Sequence, residues 1–324
     1  MLGRRILRIK AFKTLYAYAV TGKMTLDEAM DNLDKSCEAT RDLYLYMLAV
    51  ISPLTAEAAA RIKSAREKFN PTEEDLRPNT KFAENRLAVL FDNDPDFQKI
   101  VTKKGLSWQP YDILIASVLD SVREKDYFKK YMASPERSLK EDCSLFAKIF
   151  EEEFVDNQQL YPILEDKSIY WADDLAYALN FCCRTLNELA GGEQWRLPDL
   201  YQSDMLRKKK PSADVQSDRE FVRRLLKNAF AGYEGYFARI SEALKGWSSD
   251  RLNCIDIALI VLGLAEAESF PEIPVRVTIN EYVEISKYFS QKGSPFVNGV
   301  LDRLIAKMVE EGKIRKNAEV RPQA

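Results

Sequence analysis

The sequence predicts an all-α protein: a helical bundle with an additional helical insertion. Three observations carry that expectation. Glycine and proline number only 12 and 13 in 324 residues, too few to punctuate a β-rich chain. Apolar residues recur at intervals of three and four in nearly every patterned segment, and helix start and stop signals bracket most of those segments. With 46% hydrophobic and 30% charged residues the composition is that of a folded globular chain, and the length fits about two domains.

The first helix is expected over residues 4–21, where Leu7, Ala11, Leu15 and Tyr18 share a face and Gly22 ends the run. Thr25 and Glu28 form a capping box for a second helix over 25–35, and 39–69 reads as a long third one that Pro53 kinks or breaks. The polar run 70–78 with two prolines, and LRKKKPSADVQSD at 206–218, mark boundaries. They divide the chain into 1–69, an insertion 70–215 and 216–324, the insertion being helical with 111–131 and 145–154 its firmest segments. Ser217 or Asp218 caps a helix to about Leu244, and Asp250 caps one, 252–267, that is apolar almost all round and belongs in the middle of a bundle. Thr278 and Glu281 read as a capping box for a helix ending near Phe289. Ser294 with Pro295 opens a last helix, lined by Val297, Val300, Leu301, Leu304, Ile305 and Met308, up to Gly312.

Composition removes most catalytic chemistry. There is no histidine, hence no imidazole base or histidine metal ligand, and the cysteines at 37, 143, 182, 183 and 254 form no CxxC pair. No catalytic residue, metal or cofactor is expected, and a reducing cytoplasm fits best. The longest near-apolar stretch, 255–265, is interrupted by Asp256 and too short to span a bilayer, so no membrane partner is expected.

Charge is distributed unevenly. Residues 1–26 hold Arg4, Arg5, Arg8, Lys10, Lys13 and Lys23 with no acid. On the first helix the bases at 4, 5 and 8 read as one side, with Tyr16 and Tyr18 two turns on, a pairing of phosphate-contacting charge with aromatics that stack on unpaired bases. Residues 141–174 instead carry ten acids against Lys148 and Lys167, which should hold nucleic acid away and favour protein contacts. A shift of 76 aligns Leu145, Phe146, Ile149, Phe150, Phe154, Leu160, Tyr161 and Leu164 with Phe221, Val222, Leu225, Leu226, Phe230, Tyr236, Phe237 and Ile240, and Trp171 with Trp247. This suggests an internal helical duplication, with Trp171 anchored as Trp247 is. Residues 79–205 are expected to be replaceable by a short linker.

Three blocks together resemble the NusB family of bacterial transcription antitermination factors: RRILRIKAFKTLYAYAVTG at the start, IPVRVTINEYVEISKYF, and SPFVNGVLDRLI. The chain looks like a long form of that family with a central insertion. The resemblance implies an RNA-binding protein without catalysis that pairs with a small-subunit ribosomal protein (NusE). The pair would bind single-stranded boxA-type leader RNA and join an RNA polymerase complex that resists termination during ribosomal RNA transcription. The family's RNA-binding arginines fall on Arg4, Arg5 and Arg8, and charge and position add Lys10. The aromatic beside the final Asn-Gly falls on Phe296, with Lys292 in the loop before it, and the partner-contacting tyrosine and acid fall on Tyr16 and Asp256. An ionised Asp256 in an apolar helix would be costly to bury unpaired, so it is expected at an exposed edge or facing a partner. Two other classes remain open: a protein-interaction scaffold without RNA binding, and a relic of the RNA-binding domain of an RNA methyltransferase, although no glycine-rich methyl-donor loop is visible.

Overall fold

Gly3 precedes the first helix and Gly22 ends it at φ 63°, its N–H donating to the Tyr18 carbonyl at 2.8 Å, a left-handed stop that favours glycine. The computed structural model describes residues 1–211, 215–245, 253–290 and 293–316. It is 75% helical, without strands among the described residues, and its one isolated bridge joins Leu2 to Tyr201. In chain order the helices are α1 (Arg4–Thr21), α2 (Leu26–Leu48), α3 (Ile51–Arg66), α4 (Glu73–Leu76), α5 (Arg86–Asp92), α6 (Pro95–Lys104), α7 (Asp112–Glu124), α8 (Asp126–Ala133) and α9 (Leu139–Ile149). They continue as α10 (Leu160–Lys167), α11 (Leu175–Ala190), α12 (Gln202–Lys209), α13 (Asp218–Ala231), α14 (Tyr233–Ala243), α15 (Cys254–Ser269), α16 (Val275–Phe289) and α17 (Gly293–Glu310).

Several boundaries differ from expectation for local reasons. The Thr25–Glu28 box forms, with the Thr25 amide donating to Glu28 and the Glu28 amide to Thr25 Oγ1, but α2 runs on through 36–38. The break comes at Ala49–Val50, because the Pro53 ring of α3 would clash with the carbonyl four residues earlier, that of Ala49. The expected helix 218–244 is interrupted at Gly232, where an added Cβ would lie 2.6 Å from the Tyr236 ring. Asn253 caps α15, accepting from the Asp256 amide at 2.7 Å; Asp250 and Trp247 lie outside the described residues. Thr278 and Glu281 form no capping box, since α16 begins earlier, at Val275, and both side chains serve elsewhere.

The chain forms two compact units, one of Met1–Cys37 with the chain from Asp199 onward, the other Glu38–Pro198. The division falls inside α2 and after Pro198, whereas composition placed it at 69/70 and 215/216. Polar proline runs mark surface segments, while the unit border follows packing. The 70–78 run holds α4, and bases 207–209 lie in the last turn of α12.

In the first unit α15 is central. It contacts α1, α13, α14, α16 and α17, and its residues from Asp256 to Ala267 are all buried, as its lack of a polar face demands. Gly263 lets α17 approach, its missing Cβ leaving room for Leu301 at 2.7 Å.

In the second unit Tyr46 stacks on Trp108 at 4.2 Å and Trp171 at 5.1 Å between ring centroids. The indoles of Trp108 and Trp171 donate to the carbonyls of Tyr46 and Ala39 at 2.7 and 2.9 Å, satisfying their polar ends. Part of the acidic stretch is structural. Asp142 accepts from the Tyr131 hydroxyl and the Arg86 amide at 2.6 and 2.8 Å, and Asp174 from Thr40 at 2.6 Å. At a shift of 76, α9 with its following π-helical turn, α10 and α11 fall on α13, α14 and α15, and six of the eight aligned apolar pairs are buried on both sides.

Among the described residues one stretch, Leu26–Arg66, which includes the break at Ala49–Val50, is long and apolar enough to cross a membrane by length and composition, whereas 255–265 is not; 56% of its most apolar window is buried in the protein.

Candidate nucleic-acid interface

The N-terminal face is built by a clasp between distant segments. The Leu2 amide donates to the Leu200 carbonyl at 2.7 Å and the Gln202 amide to the Leu2 carbonyl at 2.9 Å, setting the start of α1 beside the start of α12.

The three arginines of α1 meet three acids from elsewhere in the first unit. Arg4 donates through Nε to Asp218 at 3.3 Å and through Nη2 to Gln216 at 2.9 Å. Arg5 grips both oxygens of Glu281 at 3.0 and 2.7 Å. Arg8 donates through Nε and Nη2 to Glu266 at 2.7 and 2.9 Å, and Thr278 and Tyr282 donate their hydroxyls to the same carboxylate at 2.9 and 3.2 Å. The guanidinium carbons of Arg4 and Arg8 also stand 4.8 and 5.2 Å from the centroid of the Phe221 ring, a favourable cation–π placement.

Burial separates these residues into two kinds. Arg5 keeps 57% of its side chain exposed and Arg4 32%, so both still offer donors to solvent. Arg8 is only 4% exposed and Lys10 1%. Arg8 and Lys10, expected as RNA contacts, therefore lie in the interior of this structure. Arg8 precedes the buried Ala11 and Leu15 by three and seven residues and shares their stripe; a side chain enclosed there reaches no phosphate. Burial alone would lower the Arg8 pKa, but the Glu266 hydrogen bonds and charge raise it above its usual value. Burial and the Glu266 charge push the Tyr282 phenol well up, while the Arg5 hydrogen bonds hold the Glu281 carboxyl below the usual range.

The remaining expected site residues are dispersed. Tyr16 is 37% exposed on α1, its ring 6.1 Å from that of Phe12. Phe296 is half-buried in the first turn of α17, and Lys292 lies outside the described residues. Asp256 is corrected from an exposed edge to a buried position at the start of α15, 4% exposed. Its Oδ1 has no hydrogen bond among the described residues, an added Cβ on Gly293 would lie 2.4 Å away, and burial pushes its carboxyl up.

Sequence reasoning did not single out Glu266 or Phe221 as part of this face, and gave Asp218 and Glu281 only capping roles. Glu266 carried a readable signal, since an acid inside an all-round apolar helix demands a buried partner.

Residues 183–306, which supply all three carboxylates, match the NusB family. Over 111 residues the chain is 32% identical to the transcription antitermination protein NusB of Clostridium botulinum (strain Loch Maree / Type A3), covering 34% of this chain and 79% of that protein. The chain belongs to the NusB family. NusB of Geotalea daltonii is 33% identical over 103 residues, 31% of this chain and 71% of that protein. NusB of Methylacidiphilum infernorum is 38% identical over 91 residues, 28% and 64% respectively. No solved structure matches. The family match leaves out residues 1–182. The fold nevertheless places α1 against α13 and α15, so the basic helix is packed on NusB-matching helices.

Proposed function

We propose that this chain is a cytoplasmic transcription antitermination factor without catalytic activity. In this reading its first unit binds single-stranded boxA-type RNA together with a small-subunit ribosomal protein (NusE) and joins an antitermination complex with RNA polymerase. The observation that carries the reading is the seating of α1 on NusB-matching helices, with Arg4 and Arg5 at the solvent edge. Tyr16 stays accessible to the ribosomal protein. A role for Asp256 in that pairing is indirect in this reading, since its side chain is buried at the start of α15.

A second reading has its own support. Arg4, Arg5 and Arg8 each already hold a carboxylate, as in a scaffold that has lost RNA binding. A titration of labelled boxA-type RNA, with and without the ribosomal protein and at two salt concentrations, separates the two. The first reading expects binding that strengthens with the protein and weakens with salt. Absence of binding in every arm, with the ribosomal protein still captured, establishes the scaffold.

A further inference from the structure

The basic run at 207–210, which composition presents as a linker, belongs to the same edge of the first unit as the α1 arginines. Arg207 to Lys209 form the last turn of α12, Lys210 follows, and all four are exposed. Their helix starts at the clasp with Leu2, beside Arg4. Arg207 and Arg4 hold one short stretch from two helices: Arg207 Nε donates to the Val215 carbonyl at 2.9 Å, while Arg4 donates to Gln216 and Asp218. The bases of α12 and those of α1 are thereby brought to a common border.

Charge compensation differs across that border. Arg4, Arg5 and Arg8 face Asp218, Glu281 and Glu266, and Lys208 pairs with Asp199 at 2.5 Å. Among the described residues, Lys209 and Lys210 have no carboxylate within salt-bridge distance, and Arg207 spends one donor on a carbonyl. Cations in a last helical turn suit the helix dipole, an effect of about 0.3–1 kcal/mol that falls off within that turn. Four consecutive bases spread around the axis at roughly 100° each, however, so they present charge to solvent on several sides of the helix end.

We propose that Arg207, Lys209 and Lys210 are phosphate-contacting residues, so that single-stranded RNA runs from the Arg4–Arg5 edge onto the end of α12. The inference rests on the RNA-binding reading above and deepens it. Lysines without a carboxylate partner among the described residues are freer to displace counterions from a phosphate chain than arginines already held by carboxylates.

The test uses the full chain and a fluorescently labelled boxA-type RNA oligonucleotide, with the dissociation constant measured from 50 to 200 mM salt. Variants are Lys209→Ala/Lys210→Ala and the charge-keeping Lys209→Arg/Lys210→Arg, with Arg5→Ala as the α1 control; circular dichroism melting checks that each is folded. The alanine pair is expected to reduce the logarithmic salt slope by about 1.4, at roughly 0.7 for each single-strand phosphate that is no longer neutralised, and the arginine pair to restore it. If the wild type binds and Arg5→Ala weakens it while the alanine pair leaves affinity and slope unchanged, the α12 contact is wrong and the RNA-binding reading stands. If the wild type binds no RNA at any salt concentration, both are wrong.

Discussion

Arg8 and Glu266, 258 residues apart in sequence, form a two-pronged ion pair that is sealed from solvent and also gathers the hydroxyls of Thr278 and Tyr282. It fixes α1 to α15 and α16; removing Glu266 would strand the Arg8 guanidinium and the two hydroxyls as donors, and removing Arg8 would leave a buried carboxylate held only by those hydroxyls.

Removing one partner is therefore expected to be severe. Arg8→Ala or Glu266→Ala should each cost about 3–5 kcal/mol by leaving an uncompensated buried charge, whereas Arg8→Met with Glu266→Gln together, which removes both charges and keeps an acceptor for the Thr278 and Tyr282 hydroxyls, should cost less. Urea unfolding measures this. An Arg8→Ala protein of wild-type stability but without RNA affinity would return Arg8 to the binding surface.

The Arg5–Glu281 pair is of the other kind. With its arginine 57% exposed, though its acid only 18%, it should contribute about 1 kcal/mol, but its acid competes with phosphate for the arginine. Glu281→Gln is expected to tighten RNA binding and to steepen its salt dependence by about 0.7, with little change in melting temperature. Because Arg5 lowers the folded-state pKa of Glu281, the contribution of this acid to stability is present above the ordinary carboxylate range and is lost as pH falls through the lowered value. Glu281→Gln should thus remove part of the acid sensitivity of unfolding. An unchanged RNA affinity would show that Arg5 does not meet phosphate.

Asp256 has the opposite sign. Burial raises its folded-state pKa, so its favourable contribution is complete below the unfolded value and is lost as pH rises through the raised one. Asp256→Asn is accordingly expected to stabilise the protein at pH 7 and to have little effect near pH 3, read as the urea midpoint at both. Destabilisation at pH 7 would mean that the ionised carboxylate has a partner that the amide cannot replace.

The border between the units revises where the insertion can be cut. Removing 79–205 would take away the residues that clasp Leu2 and would strand Leu43 to Leu48, which are buried. Excising 39–198 and joining the ends by about 20 Gly/Ser residues, a linker with a typical span of roughly 25 Å, should leave a helical protein that unfolds cooperatively and binds the same RNA. Insolubility of the shortened chain would show that the first unit does not fold alone.

Local signals were readable and distant pairings were not. The stop at Gly22, the Thr25–Glu28 box, the buried α15 and the last apolar helix follow from residues a few positions apart. The break at Ala49 was only half legible, since Pro53 was visible but its clash falls four residues upstream. Arg8 could have been placed inside from its spacing to Ala11 and Leu15, yet nothing near it in the sequence announces Glu266. The same distance misassigned Thr278 and Glu281, whose three-residue spacing imitates a cap while their side chains answer to Glu266 and Arg5.

The long reach of the α1 contacts also has a meaning in time. Arg5 must wait for Glu281, 276 residues later, and at roughly 5–20 residues per second of synthesis that is about 14–55 s. During that interval Arg5 is without its carboxylate while the chain is still tethered to a ribosome, a particle rich in phosphate, so α15 and α16, made long after α1, are the helices that complete its ion pairs.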